Sequence, residues 1–308
     1  METLAQDRID EIATLAEQYR ETGAIVLRNI LSDTTLELLR TAFDKSIATG
    51  MRGYDTAPDV TSPLSEGGGR FVGNAATGTS AEIRALYQRV LDETPVVDIA
   101  AALLGGVDTL WFYGDQSFYK EGKTHPTAWH QDQSYMATEG DDQLQLWISL
   151  DPVPQEFSLE MVRGSHHGPI YAPPSDLGPI NGPVDDSGTM PPLPDIEANR
   201  DRFDIVSFGV EPGDIVVFHV NTLHGGGPTV EGQRRRTIVL KFHGPGTVYQ
   251  DRKTSLPAEI EAALDLSKPE DRWYKSFGTA HFEDLQPGDP FPSLYPTLHP
   301  RVRPLSRS

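Results

Sequence analysis

Between positions 109 and 243 the chain passes through six short segments, 109–120, 143–150, 159–162, 205–208, 215–220 and 236–243. Each is rich in β-branched and aromatic residues and bounded by turn formers. No stretch of helical periodicity separates them. Strands that follow one another without crossover helices point to antiparallel pairing, and so to a jelly roll or barrel rather than a wound parallel sheet. The expected fold is therefore mainly β with flanking helices, a double-stranded β-helix of the jelly-roll, cupin-like kind. In such a fold alternate residues of each strand face the interior, so a polar side chain at an inward position needs a chemical reason.

The flanks read differently. Ile9, Ile12, Ala16 and Tyr19 recur at helical spacing, the apolar run AIVLRN follows, and Ser32 begins a capping sequence ahead of Leu38, Leu39, Ala42 and Phe43, which gives helix, strand, helix. Positions 51–80 are rich in Gly, Pro, Ser and Thr and read as a loop. Gly67-Gly68-Gly69 lacks the Lys-Ser/Thr that a phosphate-binding loop requires. Helical periodicity returns over 81–104, with Pro95 marking a break or a second start. The Pro-rich insert between 169 and 199 is expected to lie as a long loop over one mouth of the barrel. A short helix is expected over 257–266, then an irregular Pro-rich run. With no internal repeat, positions 1–308 read as one domain: helical support over 1–106, a jelly-roll core over about 107–245 and a tail over 246–308.

Composition narrows the chemistry. The formal net charge of −19 is spread without long runs and reads as a solvated acidic surface, which argues against nucleic acid and anionic membranes as partners. With no cysteine there are no disulfides and no thiolate ligands, so any metal must be held by His and carboxylate. The N-terminal twenty residues are charged throughout, and no segment approaches the roughly 20 apolar residues of a membrane span. A cytoplasmic location is the expectation.

The stretch WHQDQSY (129–135) sets His130 and Asp132 two positions apart, on one face if the backbone is extended. Spacing alone decides little, since nine His and 45 acidic residues in 308 give about one such pair by chance, and His281-Phe282-Glu283 is another. Context separates them. After His130 and Asp132 comes PGDIVVFHVNTLH (212–224), a turn and an apolar strand expected to deliver His224 at its far end, followed by Gly225-Gly226-Gly227. Arg235 stands at the head of the apolar strand RTIVLKFHG. Two imidazoles and one carboxylate are what a mononuclear Fe(II) oxygenase site needs. An Arg on a strand entering a barrel calls for a carboxylate, such as the distal end of a dicarboxylic acid. His281 is followed only by His299, with no strand and no Arg at comparable spacing, and reads as a surface or packing residue.

These pieces, DQSFYKEGKTHPTAWHQDQSY (115–135), LQLWISLDPVP (144–154), VRGSHH (162–167), PGDIVVFHVNTLHGGGPT (212–229) and the Arg cluster, together with TGAIVLRNILSD (22–33), resemble the phytanoyl-CoA dioxygenase family of Fe(II)/2-oxoglutarate oxygenases over about 23–242. The resemblance implies that His130, Asp132 and His224 bind the metal and that Arg235 binds the distal carboxylate of 2-oxoglutarate. It further implies a dioxygenase that consumes O2 and 2-oxoglutarate, releases succinate and CO2, and hydroxylates an unactivated C–H of a small molecule. Two departures stand out. Many members carry Ser two residues after the second His, where this chain has Gly226, and the usual Asn-Gly pair before the Pro-Gly-Ser-His turn is replaced by QEFSLE (155–160).

Other residues carry plainer readings. Gln116 and Thr127 are candidates for donating to the cosubstrate, or equally for hydrogen bonds within the sheet. Lys120 reads as a solvated edge charge and His219 as a core or supporting residue. Trp129, Tyr135 and Trp147 read as core packing or pocket wall, Gln131 as structural, and His166 and His167 as loop residues. Periodicity alone does not select among Arg234, Arg235 and Arg236. A competing class, a metal-dependent isomerase or hydrolase or a small-molecule-binding barrel of the same shape, needs no inward Arg.

Overall fold

In the computed structural model, residues 4–49, 69–73, 81–107, 109–174, 190–251 and 286–290 are described. The N-terminal amphipathic segment forms α1 (Gln6–Thr14) and α2 (Ala16–Thr22), broken at Leu15 rather than continuous, and the chain turns through Gly23 into β1 (Ala24–Leu27). Helix α3 (Asp33–Thr49) starts where the Ser32 hydroxyl accepts a hydrogen bond from the Thr35 amide at 3.2 Å. Helices α4 (Ala81–Glu93) and α5 (Val96–Leu103) are separated at Pro95, which sits at the N-cap of α5 because a proline there loses no helical hydrogen bond.

The strands form two antiparallel sheets. The larger has the order β1-β9-β6-β11-β3-β2, in which β2 is Gly69–Gly73, β3 Trp111–Glu121, β6 Gln143–Ser149, β9 Ile215–Phe218 and β11 Arg234–His243. The smaller has the order β4-β10-β7-β8, with β4 Thr127–His130, β7 Leu159–Val162, β8 Ile205–Ser207 and β10 His224–Gly226. A two-stranded ribbon pairs β5 (Thr138–Glu139) with β12 (Val248–Tyr249).

The two faces of the larger sheet do different work. Leu144, Leu146, Ile148, Ile238, Leu240 and Phe242 pack under the helices, against residues such as Leu39, Phe43, Tyr87 and Ile99. The alternate residues Trp147, Val216, Phe218 and Val239 meet Leu159 and Met161 of the smaller sheet in a second core between the sheets. Period-two alternation thus separates a scaffold face from an interior face. The Tyr19 hydroxyl donates to the Gln143 carbonyl at 2.6 Å and ties α2 to β6.

Two expectations change. Positions 69–73, read as loop, form an edge strand on β3, where Phe71 pairs with Phe118 and Val72 with Ser117. Only Phe71 and Val72 are apolar in this five-residue segment, and the glycines at both ends hid it. The strand expected over 215–220 stops at Phe218, and the chain crosses between sheets before His224 opens β10. The remainder of 51–80, most of the Pro-rich insert, the helix expected over 257–266, and His281, Glu283 and His299 lie outside the described residues.

Leu240 is fully buried between sheet and helices, so Leu240→Ala is expected to cost about 2–5 kcal/mol, read as a lower urea midpoint with an unchanged m-value. A loss below about 1 kcal/mol would mean that this layer collapses around the cavity.

Candidate metal centre

Strands β4 and β10 pair so that His224 lies opposite His130, and the two imidazole rings sit 4.1 Å apart. Each ring is oriented from behind. His130 Nδ1 is 2.8 Å from the Ala128 carbonyl and His224 Nδ1 is 2.9 Å from the Thr222 carbonyl. A carbonyl only accepts, so both Nδ1 atoms carry the proton and both Nε2 lone pairs are left for a ligand. Burial, then the neighbouring His130, lowers the His224 pKa to about 3, which keeps it neutral near pH 7.

Asp132 is not on the strand, as the i, i+2 argument supposed. It opens a 3-10 turn, Asp132–Tyr135, after an extended Gln131, and that extended link still carries its carboxylate beside the ring, with Oδ1 3.5 Å from His130 Nε2. Burial pushes the Asp132 carboxyl up, but the Lys241 ammonium, 2.7 Å from Oδ2, and the two imidazoles override this and hold it well below the usual carboxylate range. One ligand atom from each of His130, Asp132 and His224 lies within 4.8 Å of the others. Two imidazoles and one ionised carboxylate, converging from one side, fit a divalent iron with open positions opposite.

Next to this triad the larger sheet contributes two cations. Arg235 and Lys120 are direct partners across β11 and β3 and share the interior face. Arg235, 6% exposed, donates from Nη1 to the Phe157 carbonyl at 2.7 Å and from Nη2 to the Gly227 carbonyl at 2.6 Å, and its guanidinium carbon lies 6.0 Å from the Trp147 ring centroid. Lys120, 5% exposed, reaches the Gly227 carbonyl at 3.0 Å and Thr127 Oγ1 at 3.3 Å. Burial lowers the Arg235 pKa to about 10, still charged, whereas burial plus the Arg235 charge lowers Lys120 to about 7. Among the described residues neither cation is paired with a carboxylate.

The reading of Lys120 as a solvated edge charge is therefore wrong. Its strand is paired on both sides, by β2 and β11, and only its neighbours Tyr119 and Glu121 face outward. The register also settles which arginine enters. Arg236 binds Asp151 at 2.8 Å outside the interior, and Arg234 reaches the same carboxylate at 3.5 Å.

The remaining residues sort as follows. Gln116, half-buried, shares the interior face opposite Val239. Thr127 lies directly across from Gly226. Trp129 packs with Val162, Ile196 and Leu223 and donates from Nε1 to Glu197 at 2.6 Å. The Gln131 amide bridges the Asn221 and Pro169 carbonyls and the Tyr171 amide, a structural role. His219 is buried and accepts from the Asn221 amide, apart from the triad. His166 anchors its turn to the Arg20 carbonyl. Lys241 was not singled out by sequence reasoning, although parity held the signal: an inward Arg235 implies an inward Lys241 on the same strand.

A donor triad at one end of a jelly roll, with buried cations beside it, defines the class of non-haem iron oxygenases that use a keto acid. Residues 19–237 match the family described as Phytanoyl-CoA dioxygenase (PhyH), and the chain belongs to that family of Fe(II)/2-oxoglutarate-dependent dioxygenases. A "Probable alpha-ketoglutarate-dependent hypophosphite dioxygenase" of Stutzerimonas stutzeri is 26% identical over 149 residues, 48% of this chain and 49% of the relative, so the match spans about half of that protein's length. Among solved structures, the alpha-ketoglutarate-dependent epimerase SnoN from nogalamycin biosynthesis superposes with a TM-score of 0.62 at 19% identity, covering 97% of this chain and 99% of that one. EctD from S. alaskensis, with 2-oxoglutarate and 5-hydroxyectoine, gives a TM-score of 0.56 at 21% identity over 78% of each chain. These likenesses show the double-stranded β-helix fold. Iron and 2-oxoglutarate are the cofactors of the family, and His130, Asp132 and His224 supply its triad. No helix among the described residues is long and apolar enough to cross a membrane.

Removing one of three ligands should exceed the 10- to 100-fold loss typical of outlying partners, so His224→Ala is expected to weaken Fe(II) by more than about 100-fold in anaerobic chelator competition. Fe(II) affinity equal to wild type would remove His224 from the centre.

Proposed function

We propose that the protein is a hydroxylase that inserts one oxygen atom of O2 into an unactivated C–H of a small molecule while converting 2-oxoglutarate to succinate and CO2. The observation that carries this reading is the buried Arg235–Lys120 pair beside the triad, two cations without a carboxylate among the described residues. Burying cations is costly unless an anion arrives to pair with them, and a dicarboxylate spanning from the iron to this pair meets that need. A non-catalytic barrel, or a metal-dependent isomerase or hydrolase, gives no reason for it.

The iron supplies activation of dioxygen when bound, with the keto acid as the source of two electrons. The chain's own residues position and exclude. Arg235 keeps a free Nε with Lys120 alongside, so that charge and hydrogen-bond donors converge on one distal carboxylate. Gly226, where many relatives have Ser, has φ +74° and Gly227 has φ +69°, conformations that strain L side chains, and a Cβ on Gly227 would lie 2.8 Å from Arg235 Nη1. Thr127, opposite Gly226 and in contact with Lys120, supplies the hydroxyl that position lacks. Gln116, on the same interior face, is assigned to the cosubstrate side of the pocket. Asp132 keeps all three triad positions filled by protein, so none is opened to a halide, which favours hydroxylation over halogen transfer.

Arg235→Ala should weaken 2-oxoglutarate by about 10- to 100-fold, the loss of a charge-assisted bond, with Fe(II) affinity unchanged. Unaltered 2-oxoglutarate binding would refute the assignment. The pH dependence has a definite sign. Lys120 titrates at about 7 in the free protein, so below that it is already charged for an anion, while above it binding must take up a proton. Affinity for 2-oxoglutarate is therefore expected to fall as pH rises through 7, by at most roughly tenfold per unit, and Lys120→Met should flatten that slope. A slope that survives in Lys120→Met would place the proton elsewhere. The reaction itself is tested by screening small molecules, hypophosphite included, for stimulated succinate release and a product heavier by one oxygen. Stimulated release with an epimerised or desaturated product would overturn hydroxylation while leaving the oxygenase intact.

A further inference from the structure

Lys241 shares with Arg235 the interior face of β11, and it is 1% exposed. Its partners across the flanking strands are Gly114 on β3 and Gln145 on β6, neither charged. Gln145 in turn lies opposite Phe218, whose ring is 4.8 Å from that of His224, so this patch of the sheet forms the floor beneath the triad. The Lys241 ammonium donates to Asp132 Oδ2 at 2.7 Å, while Oδ1 is the oxygen turned toward His130 Nε2. The two carboxylate oxygens are thereby given different tasks.

A carboxylate can hold a metal through one oxygen or through both. The second mode would consume a position needed by the keto acid or by dioxygen. Two imidazoles and a carboxylate do not by themselves choose between the modes, and nothing in the triad requires a cation behind the acid. We propose that Lys241 is a positioning residue that confines Asp132 to one-oxygen coordination through Oδ1 and, by its charge, makes that carboxylate a weaker donor to the iron. The proposal rests on the metal-site reading above.

The test is the visible charge-transfer band of the full-length protein with Fe(II) and 2-oxoglutarate under anaerobic conditions. In Lys241→Met the second oxygen is released and the carboxylate donates more strongly, so the band is expected at longer wavelength than in wild type. The kcat for succinate formation should fall roughly 10- to 100-fold, as for other partners that orient a metal ligand, with the KM for 2-oxoglutarate unchanged. Lys241→Arg, which retains a cationic donor, should keep the band near its wild-type position. If Met at this site prevents folding, judged by far-ultraviolet circular dichroism, Lys241→Gln carries the test, since it keeps a donor and loses the charge, and a smaller shift in the same direction is expected. A band at the wild-type wavelength in the folded Met or Gln variant would overturn the proposal. Absence of any band in the wild-type protein would instead strike the metal-site reading, so the two failures are distinguishable.

Discussion

The site depends on cross-strand register in two sheets at once. In the smaller sheet the β4–β10 pairing sets His224 opposite His130, and in the larger one the β3–β11 pairing sets Arg235 opposite Lys120. A one-residue slip of β11 would turn Arg235 outward and bring a neighbour in. The outer face guards against this. The Arg236 amide and guanidinium both bind Asp151, at 2.8 Å each, a two-point clasp that only one register satisfies. Alternation of Ile238, Leu240 and Phe242 under the helices enforces the same choice through packing. The geometry of the interior face is thus set by contacts on the opposite side of the same sheet.

The electrostatic design runs against the bulk composition. A chain with a net charge of −19 places Lys120, Arg235 and Lys241 on the buried interior face, where Lys241 is the one that reaches the carboxylate of Asp132. Overall charge governs solubility and long-range approach, whereas binding of a small dianion is governed by the few groups it touches in a low-dielectric cleft. Burying three cations works against stability, and the two apolar cores on either side of the larger sheet carry that load.

Much of this arrangement could be read from the sequence. The β-rich run, the paired helices around Pro95 and the Ser32 cap follow from periodicity and local chemistry, because those signals act within a few residues. The triad was legible as His130, Asp132 and a distant His224 followed by Arg235, since order and spacing along the chain survive folding. What escaped depended on non-local pairing. Strand β2 gains its status only by adding to the edge of β3, β4 is only four residues long, and β10 is three residues of which two are glycine, so neither announces itself. Lys120 looked solvated because a lysine at the end of a strand usually is. Its burial follows only once β2 and β11 close on both sides. Asp132 sits in a turn, yet the extended Gln131 produced the convergence that a strand would have given.

The most direct test is a crystal structure of the anaerobic complex with Mn(II) in place of Fe(II) and with 2-oxoglutarate, the metal located by anomalous scattering. The account predicts one ion held by His130 Nε2, Asp132 Oδ1 and His224 Nε2, with the distal carboxylate of the keto acid against Arg235 and Lys120. Metal bound elsewhere, or a keto acid whose distal end avoids both cations, would contradict it.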